Sequence, residues 1–152
     1  MKKLFAIALA LVLVASLSVT AFAANTEGGE ADITTSIAPT YTVTIPADVT
    51  VAFNATETAF GAIEVTASQI HPDKCIKVEL TSDGELNNAI DGTKVIPYEI
   101  KDSEGNVFTS ATYLTEGDKT ELSIHITAED WNAAYAGDYS DTVTFTVSYE
   151  DK

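Results

Sequence analysis

Hydrophobic and polar residues alternate along most of the chain beyond residue 40. Tyr41, Val43 and Ile45, for example, are separated by Thr42 and Thr44. A period of two places successive side chains on opposite faces of a β-strand, so one face of each segment is apolar. The alternation predicts strands over Tyr41–Ile45, Val49–Phe53, Ile63–Ala67, Ile76–Leu80, Val95–Lys101, Leu122–Ile126 and Tyr139–Tyr149.

A single segment has the character of a helix. Thr127 and Asp130 have the spacing of a capping box, and an Ala-rich stretch follows them. We therefore predict one short helical turn near residues 128–134. Turn signals such as Asp102–Asn106 separate the predicted strands, and no predicted helix is long enough to connect parallel strands. The pattern predicts an all-β fold, a single two-layer antiparallel β-sandwich over residues 33–150.

Residues 1–23 have the three parts of a secretory signal peptide. Lys2 and Lys3 precede an apolar run, and Ala21 and Ala23 form a small-x-small cleavage site. Residues 24–32 are small and charged, which predicts a mobile leader ahead of the domain. We expect a secreted, extracellular protein with no membrane insertion after cleavage. Because the sequence shows no sorting motif of the LPxTG type and no hydrophobic tail, any association with the cell envelope is expected to be noncovalent.

The chain is strongly acidic. It has 23 Asp and Glu residues against 8 Lys and Arg residues, a formal charge of -15 and a pI near 4.2. Cleavage of the predicted signal peptide removes Lys2 and Lys3 and leaves a net charge of -17. Proteins that bind nucleic acid rely on clustered Lys and Arg against phosphates. The composition therefore excludes nucleic acid as an expected partner.

Cys75 is the only cysteine, so the chain cannot form an intramolecular disulfide. Its place immediately before Ile76 puts it on the polar face of the predicted strand that contains Ile76, Val78 and Leu80. We expect packing to stabilise the domain. We interpret Cys75 as an ordinary strand residue rather than as a reactive thiol.

Ser123 and His125 are the candidates for nucleophilic catalysis. They are two residues apart in a predicted strand, on the face opposite Leu122 and Ile124. A serine hydrolase also needs an orienting acid and an activating turn such as G-x-S-x-G, and no such motif surrounds Ser123. We therefore predict a protein that is not an enzyme and has no catalytic residues, and a small hydrolase remains a distant third interpretation.

Two segments contain residue types that bind metal ions. His71, Asp73 and Cys75 alternate and could converge, but a further ligand and Cys-x-x-Cys or His-x-x-x-His support are missing. A second segment, the oxygen-rich loop, contains Asp83, Glu85, Asn87 and Asp91. It lacks the D-x-[DN]-x-[DN]-G pattern of a calcium loop. We predict neither a metal site nor a cofactor.

Two further features concern carbohydrate. Asn54-Ala55-Thr56 matches the N-glycosylation sequon, which is a pattern of low specificity. Trp131 and the tyrosines could form a flat aromatic platform for a glycan. A lone Trp beside a helical turn is also typical of a plug that closes one end of a sandwich core. Both interpretations of Trp131 stay open at this stage.

Three segments resemble parts of known secreted proteins. Ala136–Tyr149 contains the Gly-x-Tyr-x-Asp-x-Val pattern and resembles the closing strand of the spore-coat-U and pilin-like secreted domains. Tyr41–Ala47 and Ala128–Trp131 resemble segments of small secreted proteins from Gram-positive gut bacteria. The resemblance implies an immunoglobulin-like or pilin-like sandwich at the cell surface.

These patterns support two functions. The first is a non-enzymatic β-sandwich that acts as a cell-surface, adhesive or fibre-forming subunit, with further copies of the chain or other envelope proteins as partners. The alternative is a carbohydrate-binding module that binds a glycan through Tyr and Trp side chains. Self-association would favour the first function, and saturable binding to a polysaccharide would favour the second.

Overall fold

The computed structural model describes residues 30–152, which form ten strands and one short helix. The predicted signal peptide at residues 1–23 and most of the predicted leader at residues 24–32 lie outside this part of the chain. The elements are β1 (Thr40–Thr44), β2 (Glu57–Gln69), β3 (Lys74–Thr81), β4 (Glu85–Asn88), β5 (Val95–Pro97), β6 (Glu99–Asp102), β7 (Ser110–Tyr113), β8 (Lys119–His125), α1 (Ala128–Ala133), β9 (Tyr139–Ser140) and β10 (Thr144–Asp151). Every ladder between these strands is antiparallel, which confirms the predicted all-β fold.

The strands form three sheets. The first has the order β1-β2-β8-β6, the second β10-β3-β7 and the third β5-β4-β9. The third sheet extends the second, because β3 leads into β4 and β9 leads into β10. Thr81 pairs with Thr144 in the second sheet, and Asn87 pairs with Ser140 in the third. Strand β4 therefore continues β3, and β10 continues β9. The second and third sheets are joined by this long antiparallel pair, and each of its two strands is interrupted where one sheet ends and the other begins.

The first and second sheets pack face to face around one hydrophobic core. Buried side chains from both sheets belong to a single cluster, which includes Ile63, Val65, Ile100, Leu122 and Ile124 from the first sheet and Ile76, Val78 and Tyr113 from the second. Burying an aliphatic side chain of this size contributes about 1.5 to 3 kcal/mol of stability. Because two layers share one core, the fold is an antiparallel β-sandwich, as the alternation predicted.

The predicted strand over Val49–Phe53 is wrong. The first strand ends at Thr44, and Pro46 then lies against Gly61 of β2, where a Cβ added to Gly61 would be 3.5 Å from the Pro46 Cβ. Proline has no N–H to donate to a ladder, so the chain leaves the sheet edge here. Residues 46–56 form a loop beside the N-terminal half of β2, and the alternation within it does not correspond to strand pairing.

Two predicted strands are interrupted. Val95–Lys101 is divided into β5 and β6 at Tyr98, whose N–H donates to the carbonyl of Gly84 at 2.8 Å. Tyr139–Tyr149 is divided into β9 and β10 at residues 141–143. The predicted faces are right in both cases, since apolar side chains on either side of each break pack against the core. The alternation of side chains indicates which face of a segment is buried. It does not show where the segment changes from one neighbouring strand to another, because the alternation continues across such a break.

The predicted helical turn near residues 128–134 is confirmed. Helix α1 covers Ala128–Ala133, and the Thr127 hydroxyl accepts a hydrogen bond from the Asp130 N–H at 3.1 Å. This is the N-cap interaction that the spacing of the two residues predicted. The cap fixes the start of the helix at the end of β8, and Trp131 lies on its second half.

Cys75 lies on the outer face of β3, opposite Glu150, as the sequence predicted. It is nevertheless only 5% exposed. The thiol does not belong to the core cluster, and its Sγ is 3.7 Å from the carbonyl oxygen of Asp151 at the end of β10. The alternation of β3 therefore gives the direction of the Cys75 side chain correctly, but it does not predict that this cysteine is buried.

Candidate functional site

A groove opens on one side of the sandwich. It has a volume of about 720 Å³ and lies between the loop Ile45–Phe53 and the segment Gly137–Val143 that leads into β10. Strand β1 pairs only with residues 64–69 of β2. Within residues 30–152, residues 57–63 of β2 therefore have no strand on this side. Because β1 does not reach residues 57–63, a gap remains between the edges of the first and second sheets, and the groove occupies this gap.

The floor of the groove is part of the hydrophobic core. Phe60 of β2 and Phe145 of β10 contribute to it, with ring centroids 6.0 Å apart. Ile96 and Ile124 also line it, and their exposed fractions are 1% and 8%. Both phenylalanines are only half-buried. An apolar side chain that entered the groove would therefore add to the core.

Phe53 and Trp131 form an aromatic pair that lines the groove. Their rings are T-shaped, with centroids 5.7 Å apart. Trp131 is half-buried against the core, and its Nε1–H donates to the carbonyl of Ala55 at 2.9 Å, which agrees with the plug interpretation. Phe53 is 79% exposed, in a turn where Asn54 has a φ of 64°. Phe53 was not predicted as a site residue, and the Asn that follows it, which tolerates this φ, was the available signal of a turn.

Strand β10 has a free edge within residues 30–152. It ends the order β10-β3-β7, and its ladder is with β3. Leu80, which lies opposite Phe145, donates its N–H to Thr109 on the other side of β3. Antiparallel pairing alternates along a strand, so the N–H and C=O groups of Phe145 and Val147 point away from β3. These groups are available to an added strand.

Carboxylates line the groove, and none of the lysines in residues 30–152 does. Asp48, Asp138 and Asp141 are among its lining residues. The carboxylates of Asp48 and Asp138 are exposed and form no ion pair with another residue of the range 30–152. The ion pairs in that range are elsewhere and join Lys74 to Asp151, Lys77 to Glu79 and Glu150, Lys101 to Glu99, and Lys119 to Glu121. Asp48 and Asp138 therefore give the rim of the groove a negative charge that no ion pair within residues 30–152 compensates.

The third carboxylate of the groove is fixed by Tyr98. The Tyr98 hydroxyl donates a hydrogen bond to Asp141 Oδ2, and Ser82 Oγ lies 2.7 Å from that hydroxyl and 3.2 Å from the carboxylate. Burial, and then the hydrogen bond to Asp141, raises the pKa of Tyr98 to about 12. Asp141 is therefore a structural part of the groove wall, whereas Asp48 and Asp138 are free to meet a ligand.

The structure brings Ser123 and His125 together. Ser123 Oγ and His125 Nε2 are 2.9 Å apart on the outer face of β8. Glu57 and Glu99 lie opposite His125 on the two neighbouring strands, beside a smaller cavity of about 480 Å³. Within residues 30–152 neither glutamate is within salt-bridge distance of the imidazole. The pair is present, and the orienting hydrogen bond of a triad is not formed in this part of the chain.

The other predicted candidates have local structural roles. The His71 backbone N–H donates to the hydroxyl of Tyr149 at 2.9 Å, and Asp91 Oδ1 accepts from the backbone of Thr93 at 3.0 Å. No group of three His, Cys, Asp or Glu side chains converges as metal ligands would in the range 30–152. The sequon residue Asn54 is exposed beside Phe53.

Comparison of the chain with protein-family models and with curated proteins gave no match. Within the described residues 30–152, no helix has the length and apolar character that a transmembrane span requires.

Proposed function

We propose that this protein is a secreted, non-enzymatic β-sandwich that serves as a cell-surface, adhesive or fibre-forming subunit. We further propose that it does so by accepting a strand from a partner beside β10. One observation supports this most directly. The groove has core side chains as its floor, and it adjoins the free edge of β10 at Phe145. A bound strand would pair its backbone with β10 and bury its apolar side chains on the floor.

Edge strands are usually protected in monomeric proteins, because unpaired backbone groups attract other chains. Charged side chains, prolines and bulges are the common forms of protection. The part of β10 nearest the groove has none of these, since Thr144–Tyr149 is uncharged and alternates Thr or Ser with apolar residues. Secretion is supported by the signal-peptide pattern of residues 1–23.

The proposal is tested by photocrosslinking in the cells that produce the protein. A crosslinking amino acid replaces exposed Thr146 on the edge strand, or exposed Glu104 in the Asp102–Asn106 turn as the control. We expect extracellular adducts of higher mass from position 146 and none from position 104. Recovery of unlinked monomer from both positions, or retention of the chain inside the cell, would contradict the proposal.

A second variant tests the strand pairing itself. Val147→Pro removes an N–H that points away from β3, so the ladder between β10 and β3 keeps its hydrogen bonds. Proline is tolerated at such edge positions. We expect Val147→Pro to remain folded, as judged by circular dichroism, and to lose the adducts formed from position 146.

A carbohydrate-binding module is the second candidate, and the exposure of Phe53 favours it. Its ring is 79% exposed and is held against Trp131, which makes it a fixed apolar platform for the face of a sugar. A screen against soluble polysaccharides would compare the wild-type protein with Phe53→Ala and, as the control, Val107→Ala, which removes another exposed apolar side chain. Saturable binding that only Phe53→Ala abolishes would support this function.

A further inference from the structure

The charge around the groove indicates what kind of strand it accepts. Phe60 and Phe145 contribute an apolar floor, whereas exposed Asp48 and Asp138 contribute a negative rim. We propose that the groove binds an extended, basic segment of another protein, in which apolar residues alternate with Lys or Arg. This inference rests on the strand addition proposed above, and it specifies the chemistry of the partner.

The alternation follows from strand geometry. Successive side chains of an added strand point to opposite faces, so one set reaches the floor and the other set stays at the rim. Apolar side chains in the first set would extend the core beside Phe60 and Phe145. Basic side chains in the second set would meet the carboxylates of Asp48 and Asp138. Exposed ion pairs are individually weak, so the charges here select the partner, and the apolar set supplies most of the affinity.

A second copy of this chain fits the groove less well. The segment Ile33–Pro39 is uncharged and exposed, with Ile33 99% and Ile37 62% exposed, and it could supply apolar side chains. It supplies no positive charge to the rim. Its docking would also bring together two copies that each have a net charge of -17 after the predicted cleavage. No two lysines of the mature chain are two residues apart, so the chain contains no alternating basic segment of its own.

The test measures binding of labelled peptides to the secreted protein by fluorescence anisotropy. The peptides have eight residues, the length of β10. Three alternate Val with Lys, Thr or Glu, and a fourth contains the same four Lys and four Val residues in two blocks. A fifth is the chain's own segment from Ile33 to Thr40. We expect the alternating Lys-Val peptide to bind about ten-fold more tightly than the Thr-Val peptide, and the Glu-Val and block peptides to bind more weakly than either.

Charge variants locate the interaction. The double variant Asp48→Asn, Asp138→Asn should reduce the preference for Lys-Val over Thr-Val to about two-fold or less, because the exposed ion pairs that create it are absent. Asp73→Asn with Glu104→Gln changes the net charge by the same amount at exposed positions outside the groove. That control pair should keep the full preference.

The outcomes separate the two proposals. Equal affinity for the Lys-Val and Thr-Val peptides, or tighter binding of the chain's own segment, would overturn the basic partner and leave strand addition intact. Equal binding of the block and alternating Lys peptides would mean nonspecific charge attraction, and it would also overturn the inference. If no peptide binds and Val147→Pro changes nothing, strand addition itself is wrong. Binding of a polysaccharide in that case would favour the carbohydrate module.

Discussion

Tyr98 and Asp141 are hydrogen-bonded at the point where three strands of the sandwich are interrupted. Tyr98 lies between β5 and β6, Asp141 lies between β9 and β10, and Ser82, which contacts both, lies between β3 and β4. The backbone of Tyr98 also bonds to Gly84 at 2.8 Å. This three-residue cluster therefore joins the breaks between β3 and β4, between β5 and β6, and between β9 and β10, and it supports one wall of the groove.

Tyr98→Phe should destabilise the protein without changing its fold. The substitution keeps the buried ring and removes the hydroxyl that donates to Asp141. Hydrogen bonds to charged groups contribute about 1.5 to 3 kcal/mol, so we expect a loss of that size in the free energy of unfolding. Urea denaturation measures it. Tyr135→Phe is the matched control, because the Tyr135 ring is 63% exposed, and a similar loss in both variants would contradict the role of the cluster.

The same pair predicts sensitivity to alkali. The pKa of Tyr98 is about 12 in the folded protein, above the value near 10 that is usual for an unfolded chain. A raised pKa stabilises the fold fully below about pH 10, and this contribution is lost as the pH rises from about 10 to about 12. We expect the melting temperature to fall across that interval, and to fall less in Tyr98→Phe. An identical decline in both proteins would show that Tyr98 is not responsible.

Gly137→Ala should be destabilising, because Gly137 closes the third sheet against a buried side chain. A Cβ at this position would lie 2.5 Å from Nδ2 of Asn88, and the φ of Gly137 is 149°. Asn88 is 6% exposed, and its Oδ1 accepts the backbone N–H of Ile90 at 2.9 Å, so it has little freedom to move. We expect a loss of about 1 to 3 kcal/mol in urea denaturation. Gly92→Ala is the control, because no atom of the described residues 30–152 lies within 4 Å of the added Cβ, and an equal loss there would contradict this explanation.

Acid should destabilise the protein partly through Asp118. The backbone N–H groups of Leu114 and Thr115 donate to Asp118 Oδ2 at 2.7 and 2.9 Å, and these hydrogen bonds lower the pKa of the Asp118 carboxyl. A lowered pKa contributes stability above the unfolded value, and the contribution disappears as the pH falls through the folded value. Asp118→Asn should therefore be less stable than the wild type near neutral pH, and the two melting temperatures should converge as the pH falls through the lowered folded pKa of Asp118. A constant difference at all pH values would contradict this.

Much of the sandwich could be predicted from alternation, because a half-buried strand imposes a period of two on its side chains. Tyr139, Val143, Phe145 and Val147 all pack against the core as that period requires. The break at Asp141 could not be predicted, since it depends on a hydrogen bond from Tyr98, which is distant in sequence. The strand predicted from alternation at Val49–Phe53 is wrong, because Pro46 ends the pairing of β1 with β2 and the chain forms a loop there.

The groove was less predictable than the fold. Asp48 and Asp138 are far apart in sequence, and only the gap beside β10 makes them parts of one site. Phe53 belonged to an apparently ordinary strand pattern, so its exposure was unexpected. Trp131 was identified as a notable residue, and its role as a plug is a matter of packing that the sequence alone left open.

The closing strand provides the sharpest test of the register. Phe145 is half-buried beside Phe60, whereas Thr144 is exposed on the opposite face. Truncating a fully buried Phe costs about 3 to 5 kcal/mol, and the partial exposure of Phe145 reduces the expected loss for Phe145→Ala to about 2 to 3 kcal/mol. Thr144→Ala should cost less than about 1 kcal/mol, because it removes only a residue of high strand propensity from the outer face. Urea denaturation of the two variants measures this difference, and equal losses would mean that the register of β10 is shifted by one residue. Since Phe145 also belongs to the floor of the groove, Phe145→Ala should weaken binding of the Lys-Val peptide, whereas Thr144→Ala should not.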